Sequence, residues 1–283
     1  MKTAVLHLHC EDRKGIVYNV SRFIFERGGN IITSQQHHEE FDNRFFMRVF
    51  FDLAGMETDR ETLITDLGRL ADQFGMETKL TFSDQRKRMA IMVSRYDHCL
   101  YDLFHRARYG ELNADIAVVV SNHPDLAGVA ESFGTPFYHV AVEKGRKESA
   151  ERRQLELFKK HDVDFIVLAR YMQILTPVLL DAYPYRVVNV HHGFLPAFRG
   201  AKPYHKAYEL GVKLIGATSH YVTEELDAGP IIEQETIRVN HSHSVRDMLA
   251  LGRDIERRVL SKAVRAYAED RIAVYKNRTI VFD

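Results

Sequence analysis

The chain reads as a two-part α/β protein, and two observations predict this. Over residues 3–82 the apolar pattern switches between strand and helix periods in the order βαββαβ. From residue 89 onward, short and nearly continuous apolar runs alternate with helical segments. That second pattern belongs to a doubly wound, mostly parallel, Rossmann-like sheet whose strands are buried on both faces.

The elements follow in order. Residues 3–9 (TAVLHLH) alternate apolar and polar side chains, as a half-buried strand does. Glu11 to Gly15 form a turn. Ile16, Val17, Val20, Phe23 and Ile24 lie at helical spacing, and Gly28-Gly29 ends that helix. Asn30 to Ser34 and Phe45 to Phe51 read as the second and third strands. His37-His38-Glu39-Glu40 between them reads as a solvated loop. Leu63, Leu67, Leu70 and Phe74 share one face of a second helix, closed by Gly75, and Glu77 to Phe82 supply a fourth strand. This order is a ferredoxin-like unit. The polar stretch Ser83 to Lys87 marks a boundary, giving domains 1–84 and 85–283.

In the second domain, Met89 to Val93, Ile116 to Val120, Phe165 to Leu168 and Val187 to Val190 are the buried strands. A long helix spans 244–268, and Ile272 to Val274 and Thr279 to Phe282 close the chain. Neither a glycine-rich dinucleotide fingerprint nor a P-loop is present.

Composition narrows the function classes. In 283 residues, 39 Lys and Arg balance 39 Asp and Glu, a poor match to a nucleic-acid-binding surface. Two separated cysteines, Cys10 and Cys99, fit reduced thiols in a cytoplasmic protein. The first residues do not form a signal peptide, and no apolar run is long enough to span a bilayer.

The chemistry concentrates after the strand at 187–190. Asn189 and His191 lie two apart at its end, on one face, where ligands of such sheets bind. Asp227 follows in Leu226-Asp227-Ala228-Gly229-Pro230, and His220 lies between. An amide, an imidazole and a carboxylate can hold a carbonyl, stabilise an oxyanion and move a proton. From spacing alone, Asn189 and His191 fit better a pair that merely ties down the next loop. Asp227 alone fits a turn residue, and His220 fits a core histidine. The histidines show neither HExxH nor cysteine-rich zinc spacing, so no metal is expected.

In context these segments resemble the formyltetrahydrofolate-dependent formyltransferase fold. Asn189-Val190-His191, Phe194-Leu195-Pro196 and Leu226-Asp227-Ala228-Gly229-Pro230 carry that likeness in order, over residues 88–283. Residues 1–83 resemble an ACT domain, a small ligand-sensing module. The pairing is most similar to the deformylase branch, through His191 to Phe198, Gly211 to Thr218 and Phe45 to Arg48. Two departures stand out. The deformylase pattern has Ser where this chain has Gly193, which removes a hydroxyl or eases a tight turn. Lys14 stands where many ACT domains of this group have Pro.

The resemblance implies hydrolysis of 10-formyltetrahydrofolate to tetrahydrofolate and formate, feeding steps such as purine synthesis, without metal or cofactor. Asn189 and His191 would donate to the formyl oxygen, a contribution of about 3–4 kcal/mol per donor. Asp227 would orient or deprotonate the water, directly or through His191, for roughly 100- to 10,000-fold. His191 or a relayed water would protonate N10. Residues 169–175 would wall a flat pterin slot through Arg170, Tyr171, Met172 and Ile174; Tyr171, Met172 and Ile174 also fit a plain core. Ser94, His98, Gly193 and His220 complete the expected substrate site.

Residues 93–100 lack the glycines with which glycinamide ribonucleotide formyltransferases cradle a phosphate, which favours water over an amine as acceptor. An amine formyltransferase and a silent folate-binding regulator remain the alternatives. The ACT resemblance implies a homo-oligomer, dimer or tetramer, and an amino-acid effector at Asp12, Gly15 and Asn30. Oligomerisation alone is the other reading of that domain.

Overall fold

The computed structural model describes residues 2–200 and 202–283. They form two compact units: residues 2–86 with 270–273 and 280–283, and the described residues of 87–269 with 274–279. The C-terminal residues, assigned by the sequence wholly to the second domain, thus divide between the two units.

The first unit is β1 (Thr3–Glu11), α1 (Ile16–Phe25), β2 (Asn30–Glu39), β3 (Arg44–Asp52), α2 (Arg60–Phe74) and β4 (Glu77–Phe82). Its sheet order is β2-β3-β1-β4, antiparallel throughout. Ile16, Val20, Phe23 and Ile24 form the buried stripe of α1, while Val17 turns outward. The Asp59 side chain caps α2 by accepting from the Thr62 N–H, and Gly75 closes it in the left-handed region at φ 60°. His37, His38 and Glu39 are not a loop. They continue β2, paired with Phe46, Phe45 and Arg44 of β3. The hairpin ladder decides there, despite polar side chains with low strand preference.

The polar face of this sheet also has a partner. The Asp270 carbonyl accepts from Arg48 Nε at 2.7 Å and from His7 Nε2. Its carboxylate accepts from Thr81 Oγ1 at 3.0 Å and Lys79 Nζ at 3.2 Å. Burial pushes the His7 imidazole below its usual range.

The second unit runs β5 (Lys87–Val93), α3 (His98–Arg108), β6 (Ala114–Ser121), α4 (Ala127–Ser132), β7 (Phe137–His139), α5 (Lys147–Lys160), β8 (Phe165–Leu168), α6 (Pro177–Leu180), β9 (Val187–His191), α7 (Pro203–Glu209), β10 (Leu214–Tyr221), β11 (Ile231–Arg238) and α8 (Val245–Ala268). The sheet order is β11-β10-β9-β8-β5-β6-β7. Strands β9 to β7 are parallel, and β10 and β11 add an antiparallel edge. The chain winds from β5 outward to β7, then returns to β8 on the other side of β5. That reversal opens a crevice at the carboxyl ends of β5 and β8.

Three strands were not foreseen. β7 is only three residues long, and β10 and β11 carry many polar residues. Helix α8 starts where expected, with a reciprocal cap between Ser244 and Asp247. β12 (Ile272–Tyr275) and β13 (Arg278–Val281) form a terminal hairpin.

Candidate active site

A cleft of about 240 Å³ opens at the carboxyl ends of β8 and β9. Its lining includes Arg170 to Leu175, Asn189 to His192, His220 and Asp227. The period of two in β9 points Asn189 and His191 the same way. The antiparallel register then sets Asn189 opposite His220 on β10.

That cross-strand pair fixes the Asn189 amide. His220 Nδ1 donates to the Tyr221 carbonyl at 2.8 Å, so its Nε2 is the acceptor for Asn189 Nδ2 at 3.2 Å. Burial holds the His220 imidazole below its usual range, which keeps this acceptor free of a proton. Asn189 is left with a second amide hydrogen for the cleft.

His191 is tethered at both nitrogens. Nε2 donates to the Phe198 carbonyl at 2.7 Å, and Nδ1 faces Asp227 Oδ2 at 3.3 Å. One proton on either side completes the second contact, so Asp227 and His191 share a proton path. The same Oδ2 accepts from the Gly200 N–H at 3.1 Å, and Oδ1 lies 3.9 Å from His220 Nε2. Burial alone would push the Asp227 carboxyl up. The hydrogen bond and charge of His191, the Gly200 amide and His220 outweigh it, and the carboxyl titrates below its usual value.

Asp227 reaches this position from a left-handed backbone, φ 53°. The turn that carries it closes against β10, where a Cβ on Gly229 would stand 1.9 Å from the Tyr221 carbonyl oxygen. Only glycine allows that approach. The loop after His191 is held by Thr218, which donates to the Gly193 carbonyl at 3.0 Å and accepts from the Leu195 N–H at 3.1 Å. Gln234 Nε2 donates to the Leu195 carbonyl at 2.9 Å.

The wall after β8 divides by exposure. Tyr171 is buried, and its hydroxyl accepts from Gln154 Nε2 at 3.1 Å; burial raises it to about 12. Met172 and Ile174 are 51% and 53% exposed to the cleft side and solvent, so neither is core. Arg170 is buried with φ 65°, and its guanidinium sits 5.0 Å from the Tyr96 ring.

Three expected substrate residues are not in the cleft lining. Ser94 Oγ donates to Asn122 Oδ1 at 2.6 Å and accepts from the Met172 N–H at 2.9 Å, behind the wall. His98 Nε2 donates to Glu256 Oε2 at 2.8 Å. Gly193 lies under His191. Sequence reading also missed Glu256, a buried carboxylate on α8. It accepts from Tyr204 at 3.2 Å and stands 3.4 Å from Arg170 Nε. Burial pushes Glu256 up, yet His98 and Arg170 bring it net below its usual value. Burial and the Arg170 charge press the neighbouring His192 down to about 3.

His98, Cys99 and Glu256 bring three possible metal-ligating atoms within 4.8 Å of one another. Glu256 is already shared by His98 and Arg170, so a cation there would face a guanidinium. In the first unit, Asp12 Oδ2 lies 3.5 Å from His38 Nε2, Gly15 starts α1 at φ 94°, and Asn30 opens β2 opposite Asp52.

Comparison with known proteins then decides the family. A sequence model described as formyl transferase matches residues 87–264. The chain is 48% identical over 279 residues to the formyltetrahydrofolate deformylase of Bacillus subtilis, spanning 98% of this chain and 93% of that one. The Escherichia coli protein of the same name is 39% identical, with 99% of each chain covered. This chain belongs to the formyltetrahydrofolate deformylase family. A crystal structure of the Pseudomonas syringae deformylase superposes with TM-score 0.97 at 47% identity, covering 100% of this chain and 95% of that one. A glycinamide ribonucleotide transformylase from Symbiobacterium toebii matches 72% of this chain and 98% of its own, with TM-score 0.68 and 30% identity. The deformylase likeness therefore includes the first unit, whereas the transformylase spans only part of the chain. Among the described residues, no helix is long and apolar enough to cross a membrane.

Proposed function

We propose that this chain hydrolyses 10-formyltetrahydrofolate to tetrahydrofolate and formate. The observation that carries the reading is the convergence of Asn189, His191 and Asp227 in one cleft of a deformylase-family chain. The pterin ring lies along Met172 and Ile174, and N10 carries the formyl group over the end of β9. Asn189 donates its second amide hydrogen to the formyl oxygen. Asp227 accepts a proton as water attacks the formyl carbon, giving a tetrahedral oxyanion. Collapse breaks the C–N10 bond, and N10 takes the proton back from Asp227 by way of a relayed water, while His191, held at both nitrogens, keeps the Asp227 carboxylate in place. Formate leaves, and tetrahydrofolate is released. The residues hold the transition-state charge without a metal ion.

Formyl transfer to an amine is the second reading, favoured by the transformylase likeness of the second unit. It is disfavoured because residues 93–100, at the carboxyl end of β5, contain no glycine and Ser94 is committed behind the wall. The deciding experiment measures tetrahydrofolate release from 10-formyltetrahydrofolate, with and without glycinamide ribonucleotide, for wild type and Asp227→Ala. Turnover without the amine, lost on substitution, supports hydrolysis. Turnover only with the amine makes it a transferase, and folate binding without turnover makes it a regulator.

For the first unit we infer an ACT-like role. Its antiparallel βαββαβ sheet supports that reading. Edge pairing of β2 with a second copy gives a homo-oligomer, and Asp12, Gly15 and Asn30 form the amino-acid site. A cytoplasmic setting agrees with the free, buried thiols of Cys10 and Cys99.

A further inference from the structure

We infer that α5 sets the height of the pterin wall, with Glu151 and Gln154 as positioning residues for substrate binding. The inference rests on residues 170–175 being that wall. Helix α5 has the sequence KESAERRQLELFKK, with charge on most faces, yet it buries Glu151 and Gln154 at helical spacing. Glu151 is 2% exposed and has no ion-pair partner among the described residues. A buried carboxylate without a cation costs stability unless strong donors satisfy it. Here Thr176 supplies both: its N–H donates to Oε1 at 2.8 Å and its hydroxyl to Oε2 at 2.5 Å.

Gln154 holds the other end of the segment through the Tyr171 hydroxyl. Ser94, backed by Asn122, holds the Met172 amide between them. The wall is therefore fastened from behind at Tyr171, Met172 and Thr176. The side chains of Met172 and Ile174 line the cleft and stand about half exposed. A ligand ring is the surface that would cover them. Neither α5 residue lines the cleft, so they act by fixing the wall before substrate arrives. The wall touches the ring and not the reacting formyl group, so its contacts serve ground and transition states alike.

The test is steady-state kinetics of the full chain on 10-formyltetrahydrofolate, with thermal melts to establish folding. Glu151→Ala is expected to raise KM at least about fivefold with kcat within about twofold. Thr176→Val removes one donor from the opposite side and is expected to raise KM about two- to threefold. It serves alone if Glu151→Ala does not fold. Glu151→Gln keeps an acceptor for the Thr176 amide, with its own amide hydrogens facing the hydroxyl. It should recover most of the KM lost in Glu151→Ala, which loss of charge alone would not. Folded variants with wild-type KM, or with lowered kcat at unchanged KM, overturn the inference. Ile174→Asp separates the two levels. If it raises KM while Glu151→Ala and Thr176→Val do not, only the role of α5 fails. If all three leave KM unchanged, the assignment of the wall fails with it.

Discussion

A Cβ built on Gly193 would lie 2.9 Å from Nε2 of His191 and 3.0 Å from the Phe198 carbonyl oxygen that this nitrogen donates to. The glycine thus leaves room for a backbone carbonyl to hold the imidazole. Of the two neighbours, His191 is the more fixed, being buried and tied to Asp227. The strap around Phe198 is more exposed and moves first. It also carries the Gly200 amide that donates to Asp227, so displacing it loosens both groups. Gly193→Ala is expected to fold and to lose about tenfold in kcat with little change in KM. Unchanged kcat would show that the strap does not position His191.

The Asn189 amide depends on its cross-strand partner. Asn189→Ala removes a donor to the oxyanion and should cost roughly 100- to 1000-fold in kcat. His220→Ala leaves the donor in place but frees the amide to rotate or flip, and a loss of about tenfold follows. In the double variant the losses should fall well short of additive, because His220 acts on the formyl oxygen through Asn189. Additive losses would give His220 a separate contact with substrate.

Much of this arrangement was legible because it is local. The period of two in β9 put Asn189 and His191 on one face, and continuous apolar runs marked β5, β6, β8 and β9. What escaped the sequence depends on partners far along the chain. β10 contains Gly216, Thr218, Ser219 and His220, which look like loop residues until β9 and β11 pair with them. Glu151, Gln154 and Glu256 sit in highly charged helices, and only packing distinguishes them from their solvated neighbours. The sequence assigns Ser94 and His98 to the substrate site, yet neither lines the cleft. Their side chains turn to Asn122 and Glu256, a direction no spacing encodes.

In the first unit the Asp270 carbonyl takes hydrogen bonds from both His7 and Arg48. Arg48→Met keeps much of the side-chain volume and removes one donor, with an expected cost of about 1–3 kcal/mol. The effect should be local. Amide hydrogen exchange of the peptide covering 270–273 should speed up, while residues 187–191 keep their protection. Equal loosening of both segments would mean that Arg48 supports more than this clamp.

His192 makes stability depend on pH with a definite sign. Burial, then the Arg170 charge, lowers its folded-state value to about 3, against 6.5 for an ordinary histidine. Between those values the unfolded chain binds a proton that the folded chain refuses. Stability is therefore unaffected by this group above about pH 6.5 and falls as the pH drops toward 3, by up to about 1.4 kcal/mol per unit. His220 and His7, also lowered, act in the same direction. His192→Gln removes the His192 contribution. Urea unfolding at about pH 7.5 and about pH 5 should show the variant losing on the order of 2 kcal/mol less than wild type between the two. An identical loss would mean that His192 takes its proton in the folded state, with Glu256 as the charge that holds it.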